Sequence, residues 1–370
     1  MTRPTPRDSL ALAKGYHSPQ VDVKVRLNTN EAPEAPPERF VDALAAAVKD
    51  IAWNRYPDRA ASALRSKIAE SEQHLVGGLI DMNNVLVANG SNEVLQSVCL
   101  TYGGPGRSVL TIEPTYQLHS HIARITGTDV IQVERNDDFT IDLDAVLRTV
   151  EQDRPSVIFV CSPNNPTGLI EDEHTIVALL DAAESVGALL VVDEAYGQFA
   201  RWSSLSLVSE ERSILVSRTF SKTWSLAGLR LGYAIGPTWV IDAISAVVLP
   251  YHLDAIKQRA GELALDDAEA MAARVATLVE ERGRIMAEFA KMPLEYWPSE
   301  SNFVLFRPTD IDGDAVWHEL VERSVMVRNC SGWDRLDGCL RVTVGTPEEN
   351  GEFLTQLRDV LGGDGQLWDA

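Results

Sequence analysis

The stretch that decides the expected fold reads SRTFSKTWSLAGLRLG over residues 217–232. The apolar run at 214–216 that leads into it predicts a short buried strand. A single lysine, Lys222, follows that strand in a turn rich in hydroxyl side chains. Phe220 and Trp224 flank the lysine and should partly exclude water, which lowers the pKa of an amine and makes it a better nucleophile. Lys222 is therefore a candidate catalytic residue, although a solvated surface lysine is the competing interpretation.

Three further side chains in this stretch suit a phosphate group. Thr219 and Ser221 offer hydroxyls, and Arg230 offers a rigid planar fork of donors. A nucleophilic lysine beside phosphate-binding groups indicates an aldehyde that carries a phosphate and is held as a Schiff base. That aldehyde is pyridoxal phosphate, so we predict pyridoxal 5'-phosphate as the cofactor.

The stretch resembles the cofactor-lysine motif of the class I/II aminotransferases, which belong to fold type I of the pyridoxal-phosphate enzymes. The resemblance extends over nearly the whole chain, and it is strongest to the branch that acts on L-histidinol phosphate. It implies an α/β fold with a mostly parallel sheet flanked by helices and a smaller α+β C-terminal domain. We expect an N-terminal arm over residues 1–36, a large cofactor-binding domain over 37–250 and a small domain over 251–370 that packs with the arm.

Composition limits the classes of partner. The chain has 370 residues and a net charge of −21, which argues against binding to nucleic acid or to an anionic membrane. No apolar run reaches the roughly 18–20 residues of a membrane span, and residues 1–14 lack the apolar core of a signal peptide. The four cysteines form no Cys-x-x-Cys pair, so we expect no metal site, no disulfides and a reducing, cytoplasmic location.

Two polar residues follow apolar strands and are further candidates. Asp193 ends the run at 189–192, and a carboxylate there is costly to bury unless it is paired. The partner we expect is the protonated ring nitrogen of the cofactor, with a helix N-cap as the competing interpretation. Asn165 follows the strand at 157–160, at the strand end where doubly wound sheets bind ligands. The resemblance implies that Asn165 and Tyr196 bind the phenolic oxygen of the cofactor.

The segment after the strand at 85–88 supplies a second group of candidates. A strand, a glycine turn at Gly90 and a helix form a geometry that directs free backbone amides at an anion. The resemblance implies that Ser91 and Asn92 complete the phosphate site. It also implies that Tyr116 stacks on the pyridine ring, whereas a core tyrosine is the competing interpretation.

The resemblance adds a subunit contact and residues on the substrate side. Tyr56, which precedes a proline, would cross to the partner's cofactor phosphate, so we expect a homodimer. Tyr16 would reach the substrate phosphate, or would pack the arm onto a subunit. Asn30 lies in a segment that lines the active-site mouth in this family.

Two arginines on predicted C-terminal strands complete the candidate site. Arg341 alternates with Leu340 and Val342, so its side chain lies on the opposite side of the strand from theirs. The resemblance implies that Arg341 and Arg328 bind the acidic end of the substrate. Two guanidinium groups suit a phosphate better than a single carboxylate, although two surface salt bridges are the competing interpretation.

The predicted reaction is amino transfer between L-histidinol phosphate and 2-oxoglutarate in histidine biosynthesis, which gives imidazole acetol phosphate and L-glutamate. Lys222 would bind the cofactor and move the substrate proton, while Asp193 would stabilise the negative charge that develops. Three alternatives stay open at this point. They are an aromatic amino acid aminotransferase, a phospho-amino-acid decarboxylase on the same fold, and a non-catalytic ligand-binding protein.

Overall fold

Two β-sheets organise the chain, and helices cover each of them. A computed structural model describes residues 4–5 and 21–362. The larger sheet contains β2 (Val85–Ala88), β3 (Ser108–Glu113), β4 (Asp129–Glu134), β5 (Val157–Cys161), β6 (Leu189–Asp193), β7 (Ile214–Thr219) and β8 (Gly232–Ile235). The smaller sheet contains β1 (Val25–Leu27), β9 (Leu294–Tyr296), β10 (Phe303–Pro308), β11 (Val325–Asn329) and β12 (Leu340–Thr343).

Helices pack on both sheets. The helices before residue 250 are α1 (Glu38–Val48), α2 (Ser62–Glu72), α3 (Ser91–Tyr102), α4 (Leu118–Thr126), α5 (Leu143–Asp153), α6 (Glu173–Val186) and α7 (Thr238–Ser245). The later ones are α8 (Ala255–Leu265), α9 (Ala268–Phe289), α10 (Gly313–Glu322) and α11 (Pro347–Gly362).

The larger sheet has the order β2-β8-β7-β6-β5-β3-β4, and β8 runs antiparallel to both of its neighbours. The pairs from β7 to β4 are parallel. Its strands are apolar on both faces because helices cover both faces: on β6, Leu190 packs into one core cluster and Val191 into the other. The carboxyl ends of β5, β6 and β7 consequently meet at one edge of the sheet.

The smaller sheet has the order β1-β11-β12-β10-β9. One face packs on α9, α10 and α11 through a core that includes Phe289, Phe306 and Phe353. On the other face, Leu305 joins a cluster with Phe139, which lies between β4 and α5. That cluster connects the smaller sheet to the body built around the larger one.

Two contacts bear on the predicted domain limits. β1, from the predicted N-terminal arm, pairs in parallel with β11 and so belongs to the smaller sheet. α8, which the prediction assigned to the small domain, packs against α1 and α2, and its Ala260 and Ala264 lie in the core of the larger body. The limits at residues 36 and 250 stay predictions.

The predicted α/β class, with a mostly parallel sheet flanked by helices, is confirmed. Within residues 4–5 and 21–362, no helix has the length and apolar character needed to cross a membrane.

Candidate active site

A cavity of about 350 Å³ lies at the carboxyl ends of the parallel strands, between the two sheets. Its wall contains every predicted site residue except Tyr16 and Tyr56. These residues are Asn30, Ser91, Asn92, Tyr116, Asn165, Asp193, Tyr196, Thr219, Ser221, Lys222, Arg230, Arg328 and Arg341. Tyr16 lies outside the described residues, and Tyr56 is on the surface. Parts of the sequence that are far apart therefore meet in one cavity.

One end of the cavity is an anion cradle at the start of α3. Gly90 precedes the helix with φ of 84°, a conformation that favours glycine, and Ser91 is the first helical residue. Gly232 lets β8 approach closely, because a Cβ there would lie 2.3 Å from the backbone nitrogen of Ser91. The first turn of a helix has N–H groups without intrahelical acceptors, and its partial positive charge attracts anions.

Three side chains form the other wall of this cradle. Thr219 Oγ1 and Ser221 Oγ are 3.0 Å apart, and Arg230 Nη1 donates to Ser221 Oγ over 3.4 Å. Arg230 has a left-handed φ of 56°, which ends the short 3-10 turn before it. Hydroxyl donors, a guanidinium group and a helix N-terminus together match the acceptors and the charge of a phosphate group.

Lys222 lies in the turn after β7, half-buried against the cavity. Its Nζ donates to the carbonyl oxygen of Thr29 over 3.4 Å and lies 5.7 Å from the ring centroid of Tyr196. Burial and the charge of Arg341 lower the pKa of Lys222 to about 8, although Glu31 opposes the shift. The unprotonated form of this amine is therefore much more populated near neutral pH than that of an ordinary lysine, as a nucleophile or general base requires.

Asp193, at the end of β6, is buried and fully engaged. Oδ1 accepts hydrogen bonds from the backbone nitrogen of Ala195 and from Ser217 Oγ, each over 3.2 Å. Oδ2 lies 3.1 Å from His119 Nε2. These contacts fix the carboxylate at the cavity wall, where it can face a cationic group on a ligand.

His119 is a site residue that the sequence reasoning missed. Its ring is fully buried and stacks on Phe159, with ring centroids 5.0 Å apart and planes 7° from parallel. Tyr116 meets the same ring edge-on at 5.5 Å. The available signal was the buried face of α4, where His119 shares helical spacing with Ile122 and Ala123. A histidine on such a face needs a polar partner, which here is Asp193.

Two amide side chains hold the phenol and guanidinium groups at the centre of the cavity. The Tyr196 hydroxyl accepts from Asn30 Nδ2 over 2.9 Å, and Asn165 Oδ1 accepts from Arg341 Nη1 over 2.5 Å. Burial raises the pKa of Tyr196 to about 12, so its hydroxyl stays protonated and can donate to a ligand oxygen.

Two arginines from the smaller sheet also line the cavity. Arg328 and Arg341 are direct cross-strand partners on β11 and β12, and both are at least nine-tenths buried. Arg341 also donates to the carbonyl oxygen of Asn28 over 3.2 Å, and its Nε has no hydrogen-bond partner among the described residues. The guanidinium carbon of Arg328 lies 5.9 Å from the ring of Trp333. Two buried guanidinium groups side by side form a site for an anion.

Tyr56 lies outside this cavity and is 78% exposed. Its ring stacks on that of Tyr251, with centroids 4.4 Å apart and planes 19° from parallel. Trp53 and Leu249, close to these two tyrosines in sequence, are also exposed. Tyr116, in contrast, lies inside the cavity, and its hydroxyl donates to Asn92 Oδ1 over 3.3 Å.

The cysteines take no part in cross-linking. All four are buried free thiols, and Cys161 lines the cavity beside Asp193. Burial raises the pKa of the Cys161 thiol well above its usual value, so it is a poor nucleophile. No cluster of His, Cys, Asp and Glu side chains suited to a metal ion occurs in the described part of the chain.

Comparison with known proteins agrees with this geometry. The family model for aminotransferase class I and II matches residues 22–357. A histidinol-phosphate aminotransferase of Streptomyces avermitilis is 43% identical over 362 residues, 96% of each chain. One from Corynebacterium diphtheriae is 41% identical over 358 residues, again 96% of each chain.

The fold is also shared with a solved structure. The crystal structure of histidinol-phosphate aminotransferase from Sinorhizobium meliloti, in complex with pyridoxal-5'-phosphate, superposes with a TM-score of 0.81. The match covers 92% of this chain and 91% of that one at 23% identity. The resemblance inferred from the lysine motif is thereby confirmed: the chain belongs to the class I and II aminotransferase family.

Proposed function

We propose that this protein is a pyridoxal-phosphate-dependent aminotransferase for L-histidinol phosphate and 2-oxoglutarate, in histidine biosynthesis. Its products would be imidazole acetol phosphate and L-glutamate. The observation that carries the proposal is a buried pair of guanidinium groups, Arg328 and Arg341, in the same cavity as Lys222 and the anion cradle. A substrate with an amine and a phosphate fits both. The names of the relatives in Streptomyces and Corynebacterium support the same substrate.

The described residues fit pyridoxal phosphate. The anion cradle would bind its phosphate, Lys222 would bind its aldehyde carbon, and the fixed carboxylate of Asp193 would face its ring nitrogen. His119 supports this role because it holds one oxygen of that carboxylate at 3.1 Å. When bound, the cofactor would supply an electron sink for the substrate carbon.

Lys222 has two roles in this proposal. Its low pKa, about 8, keeps part of the amine free to bind the cofactor. During the reaction, the ε-amine of Lys222 would take a proton from the substrate carbon as a general base and give it back as a general acid. Tyr196 and Asn165 would bind the phenolic oxygen of the cofactor, while Tyr116 would pack against its ring.

Arg328 and Arg341 would bind the substrate anion. The guanidinium fork forms two parallel hydrogen bonds with either a phosphate or a carboxylate, so one site can accept L-histidinol phosphate and then 2-oxoglutarate. Asn30 would act on the substrate side by holding the Tyr196 hydroxyl. Buried free thiols fit a reducing compartment, so we also propose a cytoplasmic location.

A spectral titration tests the function. Purified protein loaded with pyridoxal phosphate is titrated with L-histidinol phosphate and, separately, with L-phenylalanine, while the absorbance of the lysine-bound cofactor is followed. We expect conversion to the amino form of the cofactor at a concentration at least about tenfold lower for L-histidinol phosphate, since tenfold corresponds to about 1.4 kcal/mol and one charge-assisted hydrogen bond contributes that much.

Each other outcome removes a specific part of the proposal. Preference for L-phenylalanine would overturn the substrate but keep the role of Lys222. Protein that takes up no cofactor, as judged by absorbance, would overturn the assignment of Lys222 and of the anion cradle.

We also propose a homodimer in which Tyr56 completes the partner's anion cradle. Tyr56 stacks on Tyr251, and Trp53 and Leu249, which are close to them in sequence, are also exposed, so this region offers apolar side chains that a second copy could cover. The Tyr56 hydroxyl would donate one further hydrogen bond to the phosphate, and the other residues of the cradle would keep the positions described above.

Mixing two inactive variants tests the shared site. In a mixed dimer of Lys222→Ala and Tyr56→Ala subunits, one site has both native residues. Random reassociation should therefore restore about a quarter of the wild-type activity, with light scattering giving twice the chain mass. Activity that stays at the sum of the separate variants, or a monomeric mass, would contradict the proposal.

A further inference from the structure

The connection between β11 and β12, residues 330–339, covers one side of the cavity. It carries Trp333, whose side chain lines the cavity together with Arg328 and Arg341. On its other side, Trp333 borders a surface groove with Glu113 and Arg124. The indole of Trp333 therefore lies between the part of the cavity lined by Arg328 and Arg341 and the surface groove, and we call it the wall of the cavity at this point.

This wall is held from several directions. Within the segment, the backbone nitrogen of Trp333 donates to the Cys330 carbonyl over 2.9 Å, and Leu336 donates to the Trp333 carbonyl over 3.1 Å. Cys330 and Leu336 are fully buried in the cluster that joins the two bodies. A residue whose backbone is held in this way can present its ring without a large loss of entropy on binding.

Arg335 ties the same segment to the larger body. Its guanidinium group donates to the carbonyl oxygens of Arg135 and Asn136 and pairs with Asp137 at 2.9 Å. The segment starts from the smaller sheet, yet its tip is fixed to the connection between β4 and α5. Trp333 thus keeps a defined position relative to both halves of the cavity.

The indole of Trp333 and the two arginines differ in which part of a substrate they can recognise. The guanidinium groups recognise an anion, which both an amino-acid carboxylate and a phosphate provide, so they do not select for a ring. An indole face packs favourably against a planar ring and gives no comparable contact to a chain of methylene groups. The guanidinium carbon of Arg328 lies 5.9 Å from the indole ring, so a substrate whose anion is bound by Arg328 has the rest of its atoms within reach of Trp333.

We infer that Trp333 is a specificity-determining residue that packs against the heteroaromatic ring of the amino donor and so favours it over ring-free amino acids. This inference rests on the proposed aminotransferase function of the same cavity. It assigns the choice of side chain to the segment at 330–339 and the choice of anion to the arginine pair.

The test compares half-reactions of the holoenzyme with L-histidinol phosphate and with L-glutamate, followed by cofactor absorbance in single turnovers. Trp333→Leu should raise the apparent Kd for L-histidinol phosphate about tenfold and that for L-glutamate by less than about threefold. Trp333→Phe, which keeps an aromatic face, should leave the ratio of the two constants within about threefold of the wild-type ratio. Trp239→Leu, a change to an exposed tryptophan on α7, is the matched control.

If Trp333 had only a structural role, Trp333→Leu would raise the apparent Kd for both donors by the same factor. The ratio of the two constants would then be unchanged, and that result would overturn the inference. Wild-type enzyme that reacts with L-phenylalanine but not with L-histidinol phosphate would instead overturn the proposed substrate. The ratio of L-phenylalanine to L-glutamate would then test Trp333 in the same variants, because L-phenylalanine also carries a ring. If Trp333→Leu does not fold, Trp333→Phe and Trp333→His are compared instead, by the ratio of the apparent Kd for L-glutamate to that for L-histidinol phosphate. A ratio that Trp333→His reduces no more than Trp333→Phe would support ring packing. A ratio lost in both variants would contradict it.

Discussion

Lys222→Ala should reduce the rate of amino transfer by about 10⁴-fold or more, because one substitution removes both the covalent attachment and the proton carrier. No other lysine lies in the cavity wall formed by the described residues, so none of those can replace it. The measurement is a single-turnover reaction of cofactor-loaded protein with L-histidinol phosphate. The control is Lys67→Ala, which removes a lysine that pairs with Asp266 on the surface and should leave the rate within about threefold of wild type.

A small primary amine added to the Lys222→Ala protein provides a second measurement. An amine that diffuses into the cavity can accept and return the substrate proton, so the rate should rise with its concentration. A purely structural role for Lys222 would give no such rescue. Activity of Lys222→Ala within tenfold of wild type would contradict the assignment.

The pH dependence of cofactor binding tests the same lysine. Only the unprotonated amine attacks an aldehyde, and the pKa of Lys222 is lowered to about 8, first by burial and then by Arg341. The rate at which cofactor-free protein captures pyridoxal phosphate should therefore rise with pH and level off above about pH 8. Arg341→Gln should move that midpoint upward, because a cation that disfavours the ammonium form is removed.

The positions of three candidate cofactor residues in the fold could be predicted because these residues lie at or just after strand ends. Asn165, Asp193 and Lys222 each come shortly after an apolar run, and parallel strands bring their carboxyl ends to the same edge. In the sheet, Cys161 pairs with Asp193 and Asp193 pairs with Ser217. A short local pattern was thus enough to predict three residues that are far apart in the chain but line one cavity.

Residues whose partners come from other elements could not be predicted in this way. His119 has a neighbouring His121 on the same helix, and only the packing of α4 decides which of the two meets Asp193. Trp333 lies in an irregular connection that contacts the segment between β4 and α5 through hydrogen bonds of Arg335. The pattern of apolar residues around His119 and Trp333 does not indicate which residues these two side chains contact.

A buried ionic cluster next to the site in the chain is another feature that the sequence did not reveal. Arg218 is almost fully buried and donates to Glu72 over 2.7 Å and to Glu194 over 2.8 Å. Burial alone would lower the pKa of Arg218, but the charges of Glu72 and Glu194 raise it overall, so the guanidinium group stays protonated. Ser203 donates to Glu194, and Tyr233 donates to Glu72. Two carboxylates and one cation thus share a site in which all three side chains are almost completely buried.

This cluster holds the ends of the strands that carry the site. Arg218 directly precedes Thr219 of the anion cradle, and Glu194 directly follows Asp193. Glu72 lies 146 residues from Arg218 in the chain, at the end of α2, so the cluster also ties this helix to β7. Loss of the cation should therefore affect both the stability of the larger body and the alignment of Asp193 with the cradle.

Arg218→Met should lower the free energy of unfolding by about 3–5 kcal/mol, because two buried carboxylates would lose their cation. Urea unfolding followed by circular dichroism at one protein concentration measures it. Arg259→Met, which removes an exposed ion pair with Glu262 on α8, should cost no more than about 1 kcal/mol. Glu72→Gln leaves one cation facing one carboxylate and should cost less than half as much as Arg218→Met. If Arg218→Met were as mild as the surface control, or Glu72→Gln equally costly, charge balance would not be what stabilises these strand ends.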